Sequence, residues 1–246
     1  MKMIILAGGQ RSTISEELEG MPKPMVNIGG RPLLWHIMKH ASLCGINEFV
    51  VCGGYRIDMI KEYFLDFYIY QSDIRVNTAS NQVEILDKHT EAWQVSVVDT
   101  GIKTMPVERV KRVLDMSGDS FLITYGDCLS DISLAKMTEV HREGKKKITA
   151  AVARPSGRKM PLHIKWENEA EWNGNDAAWT SAGVFLAEKS AFAGVDGDGD
   201  IEDILSKSST ELYRHEGFFN TIETLRDKSA AEKMWNQGNA PWMGVL

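Results

Sequence analysis

The chain opens with Met3-Ile4-Ile5-Leu6-Ala7, a short apolar run that breaks at Gly8-Gly9 into a polar loop and then reaches Pro22-Lys23-Pro24. An apolar run of this length, bounded by glycine, is the pattern of a parallel strand buried on both faces, and such a strand delivers its following loop to the C-terminal edge of the sheet. Ligands of open α/β folds bind at that edge. Two glycines let the backbone approach a phosphate closely, and a lysine held between two prolines is a fixed cation. Taken alone, the same residues also fit a tight turn beside a solvated lysine.

Downstream the pattern repeats. Leu34, Ile37, Met38, Ala41 and Leu43 follow helical spacing behind Pro32, residues 48–52 form a second apolar strand ending in Gly53-Gly54, and Ile57, Ile60, Tyr63, Phe64 and Phe67 mark a second helix. This β-α-β-α order predicts a parallel, doubly wound sheet with right-handed crossovers. Between Ile74 and Thr100, short runs at 74–76, 83–86 and 93–98 predict an inserted hairpin followed by a return to the main sheet. Pro106 starts a helix with Val107, Val110, Val113 and Leu114 inward, and residues 121–125 form the next buried strand. That strand ends at Gly126-Asp127, so a carboxylate shares the sheet edge with Gly8-Gly9. Asp131, ahead of Leu134, Met137 and Val140, reads as a helix N-cap.

In the last third, residues 148–152 and 182–186 read as strands and 162–172 as a hairpin. Residues 196–200 form a turn capping a helix through Ile201, Ile204 and Leu205, and residues 224–236 are an amphipathic helix packed down by Trp235 and Trp242. No repeat or linker interrupts the pattern, so residues 1–246 read as one α/β domain.

Several kinds of chemistry are disfavoured by composition. A net charge of -6, with no basic stripe beyond Lys145-Lys146-Lys147, argues against a nucleic-acid surface. Cys44, Cys52 and Cys128 have neither disulfide-framework nor zinc spacing, which fits a reducing cytoplasm. No apolar stretch approaches the roughly 20 residues of a membrane span, so no membrane partner is expected. His36 and His40 share a helix face but lack a third ligand and read as plain helix residues. The DGDGD run at 196–200 resembles part of a calcium loop without its downstream glutamate and reads as a turn. The absence of G-x-G-x-x-G after the first strand argues against a dinucleotide-dependent dehydrogenase.

LAGG followed by PKPM, with LLWHIMK, VDTG, TM, RVKRV, FLITYGD, TLRDK and the closing APW in register over residues 1–242, resembles the sugar-1-phosphate nucleotidyltransferases, and among them the glucose-1-phosphate cytidylyltransferases. The resemblance implies a Rossmann-like nucleotidyltransferase fold with a mostly parallel central sheet flanked by helices. It implies attack of a sugar-phosphate oxygen on the α-phosphorus of a nucleoside triphosphate, with pyrophosphate leaving. Such chemistry is mostly positioning and charge neutralisation. The implied partners are a nucleoside triphosphate, CTP by resemblance, a phosphorylated small molecule and further copies of the chain, and the implied cofactor is Mg2+. Position by position, Gly8, Gly9 and Ser12 match the nucleotide-cradling loop, Lys23 the phosphate-contacting lysine, Arg109 an arginine on the nucleotide side and Asp127 the magnesium aspartate.

The departures fall on the same site. Where the family loop has a third glycine and an arginine, this chain has Arg11 and Thr13, which removes a bidentate clamp on the leaving group and leaves Arg11 as the replacement cation. The two glycines expected against the base are Val107-Glu108, which adds bulk and negative charge. The lysine of a Glu-Lys-Pro motif has no counterpart between Trp172 and Thr180. On the acceptor side an expected asparagine is Ser181, near Gly183, and the second metal aspartate is Glu223. Two readings follow: a nucleotidyltransferase whose triphosphate grip and acceptor pocket have been rebuilt, or a catalytically silent relative that keeps the fold to bind a ligand or a partner subunit.

Overall fold

The structure, a computed structural model, describes residues 1–9, 14, 20–88, 90–154 and 179–244. In its middle runs β1 (Lys2–Leu6), whose Ile4 and Ile5 are fully buried. Because alternate side chains of a strand face opposite sides, Ile5 enters a core with Leu34, Met38 and Val51, and Ile4 enters a second with Val110, Val113 and Phe121. The helix Leu33–Leu43 covers the first side and Pro106–Ser117 the second.

Along the chain, β2 (Asn27–Ile28) and β3 (Arg31–Pro32) form a small ribbon, and β4 (Glu48–Gly53) pairs parallel with β1. β5 (Ser72–Asn77) and β6 (Gln82–Lys88) make an antiparallel hairpin, after which β7 (Gln94–Asp99) returns parallel to β4. β8 (Ser120–Tyr125) lies parallel on the other flank of β1. There follow β9 (Cys128–Ser130), β10 (Ile148–Ala153), β11 (Thr180–Glu188), β12 (Thr210–His215) and β13 (Phe219–Thr221), the last pairing with β9. The main sheet has seven strands in the order β12-β10-β11-β8-β1-β4-β7, and β11 runs antiparallel to both its neighbours.

The chain thus winds outward from β1 through β4 to β7 and then crosses back to β8. At such a reversal of strand order the connections diverge and leave a crevice at the C-terminal edge. Gly8-Gly9 leaves β1 there, and Gly126-Asp127 leaves β8 beside it, with Gly126 N donating to Leu6 O at 3.0 Å.

Some local expectations change. Asp131 is not the cap it was read as: Ser133 takes that place and accepts from Lys136 N, while Asp131 lies 2.8 Å from His215 Nε2. The helix expected to run through Phe67 divides at Asp66 into Ile57–Leu65 and Phe67–Tyr70. The expected hairpin at 162–172 lies outside the described residues. At the C-terminus Thr224 and Asp227 form a reciprocal cap on the helix Leu225–Asn236. Trp242 is fully buried and donates from Nε1 to His36 Nδ1 at 3.1 Å.

Candidate active site

The crevice at the strand reversal holds a cavity of about 330 Å³, whose walls include Gly8, Gly9, Lys23, Arg109, Asp127 and Asp200. Lys23 begins a short 3-10 turn, Lys23–Met25, with Pro22 and Pro24 buried on either side. Fixed φ angles and buried flanks leave the lysine little choice of direction. Its Nζ lies 3.1 Å from Asp127 Oδ2, with the two side chains 27% and 23% exposed. A cation and a carboxylate therefore meet inside the cavity, beside the glycine turn.

Gly9 faces open space, where a Cβ would meet nothing, so a ligand can approach its backbone. Gly8 has another reason to be glycine. A Cβ there would stand 2.0 Å from Arg109 Nη1, and one on Gly54 would stand 2.7 Å from Gly8 O. Arg109 is 3% exposed and its guanidinium is occupied by the protein itself. It donates to Gly8 O at 2.5 Å, Gly53 O at 2.9 Å, Thr100 Oγ1 at 2.7 Å and Ile102 O at 3.3 Å. Gly8, Gly53 and Thr100 follow or end β1, β4 and β7, so one side chain ties together three strand exits. Thr100 completes the tie by donating from its hydroxyl to Gly53 O at 2.7 Å.

Helical phase decides what Val107 and Glu108 do. Met105, Pro106 and Arg109, at i, i+1 and i+4, line the cavity. Val107 turns into the core and is 1% exposed, and its backbone N donates to Gly199 O at 3.1 Å. Glu108 packs against Gly197 and pairs with Arg112 at 3.2 Å. Neither side chain is among the lining residues, so the bulk and charge expected there do not enter the cavity.

The structure brings Gly8, Gly9, Lys23, Arg109 and Asp127 to one cavity. Arg11, Ser12 and Thr13 lie outside the described residues. Ser181 and Gly183 sit at the start of β11 and are not themselves in the cavity lining; Ser181 Oγ accepts from Gly183 N, and Gly183 (φ +66) packs on Cys128 and on Tyr125, which lines the cavity. Glu223 follows Ile222, whose N donates to Asp127 O at 2.9 Å, so its backbone stands next to the exit of β8.

Two features of the wall had no sequence counterpart. Tyr125 donates to Glu202 Oε2 at 2.7 Å, and burial, followed by the Glu202 carboxylate, pushes its phenol up from its ordinary pKa. Asp200, in the lining, caps the helix Ile201–Leu205; desolvation and the Asp203 carboxylate raise it. The signal was the glycine-aspartate turn, which by spacing alone speaks for a cap and not for a cavity wall. The histidines are structural: His36 bonds Ile28 O at 2.9 Å, and His40 lies between Trp242 O and Ile132 O. Burial pushes the Cys52 thiol up to about 12, so it is a core residue and not a nucleophile.

No group of three or more His, Cys, Asp or Glu gathers among the described residues as a closed metal cage. Asp127 and Glu223 instead offer hard carboxylate oxygens from neighbouring backbone positions. Asp127 lines the cavity, whereas Glu223 is exposed and is not among the lining residues; carboxylate oxygens are the ligands that magnesium takes, with water and phosphates completing its shell.

A family model described as a MobA-like NTP transferase domain matches residues 3–174. Over 98% of its length the chain is 37% identical to glucose-1-phosphate cytidylyltransferase of Salmonella typhimurium, covering 98% of that protein. It is 31% identical to a probable glucose-1-phosphate cytidylyltransferase of Bacillus subtilis, over 98% of this chain and 99% of that one. The crystal structure of HddC from Yersinia pseudotuberculosis superposes with a TM-score of 0.72 at 17% identity, covering 95% of this chain and 99% of the other, which establishes a shared fold.

Proposed function

The chain belongs to the sugar-1-phosphate nucleotidyltransferase family, and we propose that its cavity joins a cytidylyl group from CTP to a sugar 1-phosphate. Nucleotidyl transfer to a sugar 1-phosphate is the activity its relatives share, and the cytosine base follows from the names of those relatives that span the whole chain. The observation that carries the placement of the reaction is the Lys23–Asp127 pair at the strand reversal, facing the same cavity as the Gly8-Gly9 turn.

In this account the backbone at Gly8, Gly9 and Ser12 cradles the triphosphate, and Lys23 and Arg11 neutralise the charge that develops on departing pyrophosphate. An oxygen of the acceptor phosphate attacks the α-phosphorus; the bond to the pyrophosphate oxygen breaks as the new phosphoanhydride forms. Asp127 and Glu223 would hold magnesium, which would supply positive charge against the phosphates. Arg109 acts from behind by fixing the carbonyl of Gly8, and so the direction of the turn. The acceptor enters from the β11 side, past Ser181 and Gly183.

Residues 1–246 act as one domain in this account, and copies associate. The β5–β6 hairpin supports association, because Val76 and Val83 are paired across it and 50% and 53% exposed on one face. No helix among the described residues is long and apolar enough to cross a membrane.

Incubation with magnesium, glucose 1-phosphate and each nucleoside triphosphate in turn, with pyrophosphate measured, tests the assignment. Release is expected with CTP above the other triphosphates. Release with another base alone would replace cytosine, and binding of nucleotide without any release would favour a silent relative.

A further inference from the structure

We propose that the acceptor carries a second anionic group, remote from its reacting phosphate, and that Arg154 and Arg214 bind it around Trp179. This rests on the proposed transfer to a sugar 1-phosphate. Arg154 directly follows β10, Trp179 directly precedes β11 and Arg214 lies in β12. Ala153 pairs with both Thr180 and His215, and Val152 with Arg214, which brings the three residues together at the C-terminal edge of the parallel strands. Arg154 Cζ stands 5.5 Å from the centroid of the Trp179 ring and Arg214 Cζ 6.0 Å from it. Both arginines are exposed, and among the described residues neither has a carboxylate partner.

Two guanidiniums within 6.0 Å of one ring centroid lie no more than about 12 Å apart, so their charges repel, and an indole face offsets only part of that repulsion. An anion between them removes it. Each guanidinium presents a planar fork of donors that matches two oxygens of a phosphate or carboxylate. The exposed end of each side chain leaves that fork accessible.

The location selects which anion. The nucleotide side of the cavity lies at β1 and β8, with Gly8, Gly9 and Lys23. The arginines lie across β11, on the opposite side of Asp127. From β8 to β10 is two strand spacings and to β12 three, roughly 10 and 14 Å. A phosphate seated on the arginines is therefore too distant to attack at Asp127, whereas a sugar that places its 1-phosphate at Asp127 extends its far end toward them. The group they receive is a second phosphate or a carboxylate on that far end.

Calorimetry with glucose 1-phosphate, glucose 1,6-bisphosphate and glucuronic acid 1-phosphate tests this on the wild type and on the double variant Arg154→Gln, Arg214→Gln. A doubly anionic acceptor is expected to bind on the order of tenfold more tightly than glucose 1-phosphate, with that advantage falling below about threefold in the double variant. Whether the bisphosphate or the glucuronate gains more assigns the group as phosphate or carboxylate. Equal affinity for all three, or an advantage that survives in the variant, overturns the proposal. If the double variant does not fold, Arg214→Lys alone serves, since a point charge keeps attraction but loses the fork and the advantage should narrow. Pyrophosphate release measured in parallel keeps the two claims apart. Release at equal kcat/KM for all acceptors contradicts only the second anionic group, and no release with any acceptor contradicts the transfer reaction while the calorimetry still judges the subsite.

Discussion

Lys23 Nζ lies 3.1 Å from Asp127 Oδ2, although 104 residues separate them in the chain. They meet because β1 and β8 are neighbours where the strand order reverses, and each residue belongs to the segment leaving one of those strands. Both side chains are about a quarter exposed, so solvent screens the pair, and contacts of this kind contribute only about 0–1 kcal/mol to stability. Asp127→Asn is accordingly expected to shift the unfolding temperature by no more than about 4 °C. A larger loss, measured by calorimetric unfolding, would make the pair a structural element first.

Arg109 stands in contrast. Alanine there strips the donor from the carbonyl of Gly8, takes one of several donors from Gly53 O, which keeps Thr100, and empties the buried space of the guanidinium; a buried acceptor left unpaired alone costs about 1–3 kcal/mol. A net loss near 3 kcal/mol lowers the midpoint by roughly 6–12 °C in a chain of this size. Arg109→Lys should recover only part, because one ammonium cannot reach three strand exits together. Wild-type stability in Arg109→Lys combined with weakened CTP binding would assign Arg109 to the nucleotide instead.

Much of this site was legible in the sequence, and the limit lies in a definable place. Gly8, Gly9, Lys23 and Asp127 could be placed together because strand alternation fixes which loops share a sheet edge. Arg109 could be placed near them but its role could not be read, because three of its four acceptors are backbone oxygens, of Gly8, Gly53 and Ile102, which carry no side-chain signature. Val107 and Glu108 were misjudged as crowding the cavity. Their positions two and one residues before Arg109 rotate them off its helix face, so helical phase was the signal that outweighs adjacency. Asp131 lost the cap to Ser133 because the helix begins later, at Leu134.

His36 makes stability depend on pH. Trp242 Nε1–H donates to its Nδ1, so its Nε2 carries the proton given to Ile28 O, and burial pulls the pKa from 6.5 down to about 4. Between those values the unfolded chain binds a proton at this residue that the folded chain does not, so stability falls as pH drops through the window. The loss is about 2–3 kcal/mol between pH 6.5 and 4.5. Urea unfolding of the wild type and of His36→Gln across that range should differ by this amount. Parallel curves for the two proteins would remove His36 from the effect.

Association through the hairpin predicts that Val76→Asp with Val83→Asp yields monomers in light scattering coupled to gel filtration, with the main sheet unaffected. A wild type already monomeric at micromolar concentration would contradict it.

Nucleotidyl transfer at the Lys23–Asp127 cavity is tested most directly by pyrophosphate release from CTP and the preferred sugar 1-phosphate, comparing wild type with Asp127→Asn and Lys23→Gln. Loss of one preorganised charge at a reacting phosphate typically lowers turnover by about 10²–10³. Turnover in the wild type and a fall of that order in both folded variants is the predicted result; full turnover in either variant would place the reaction elsewhere.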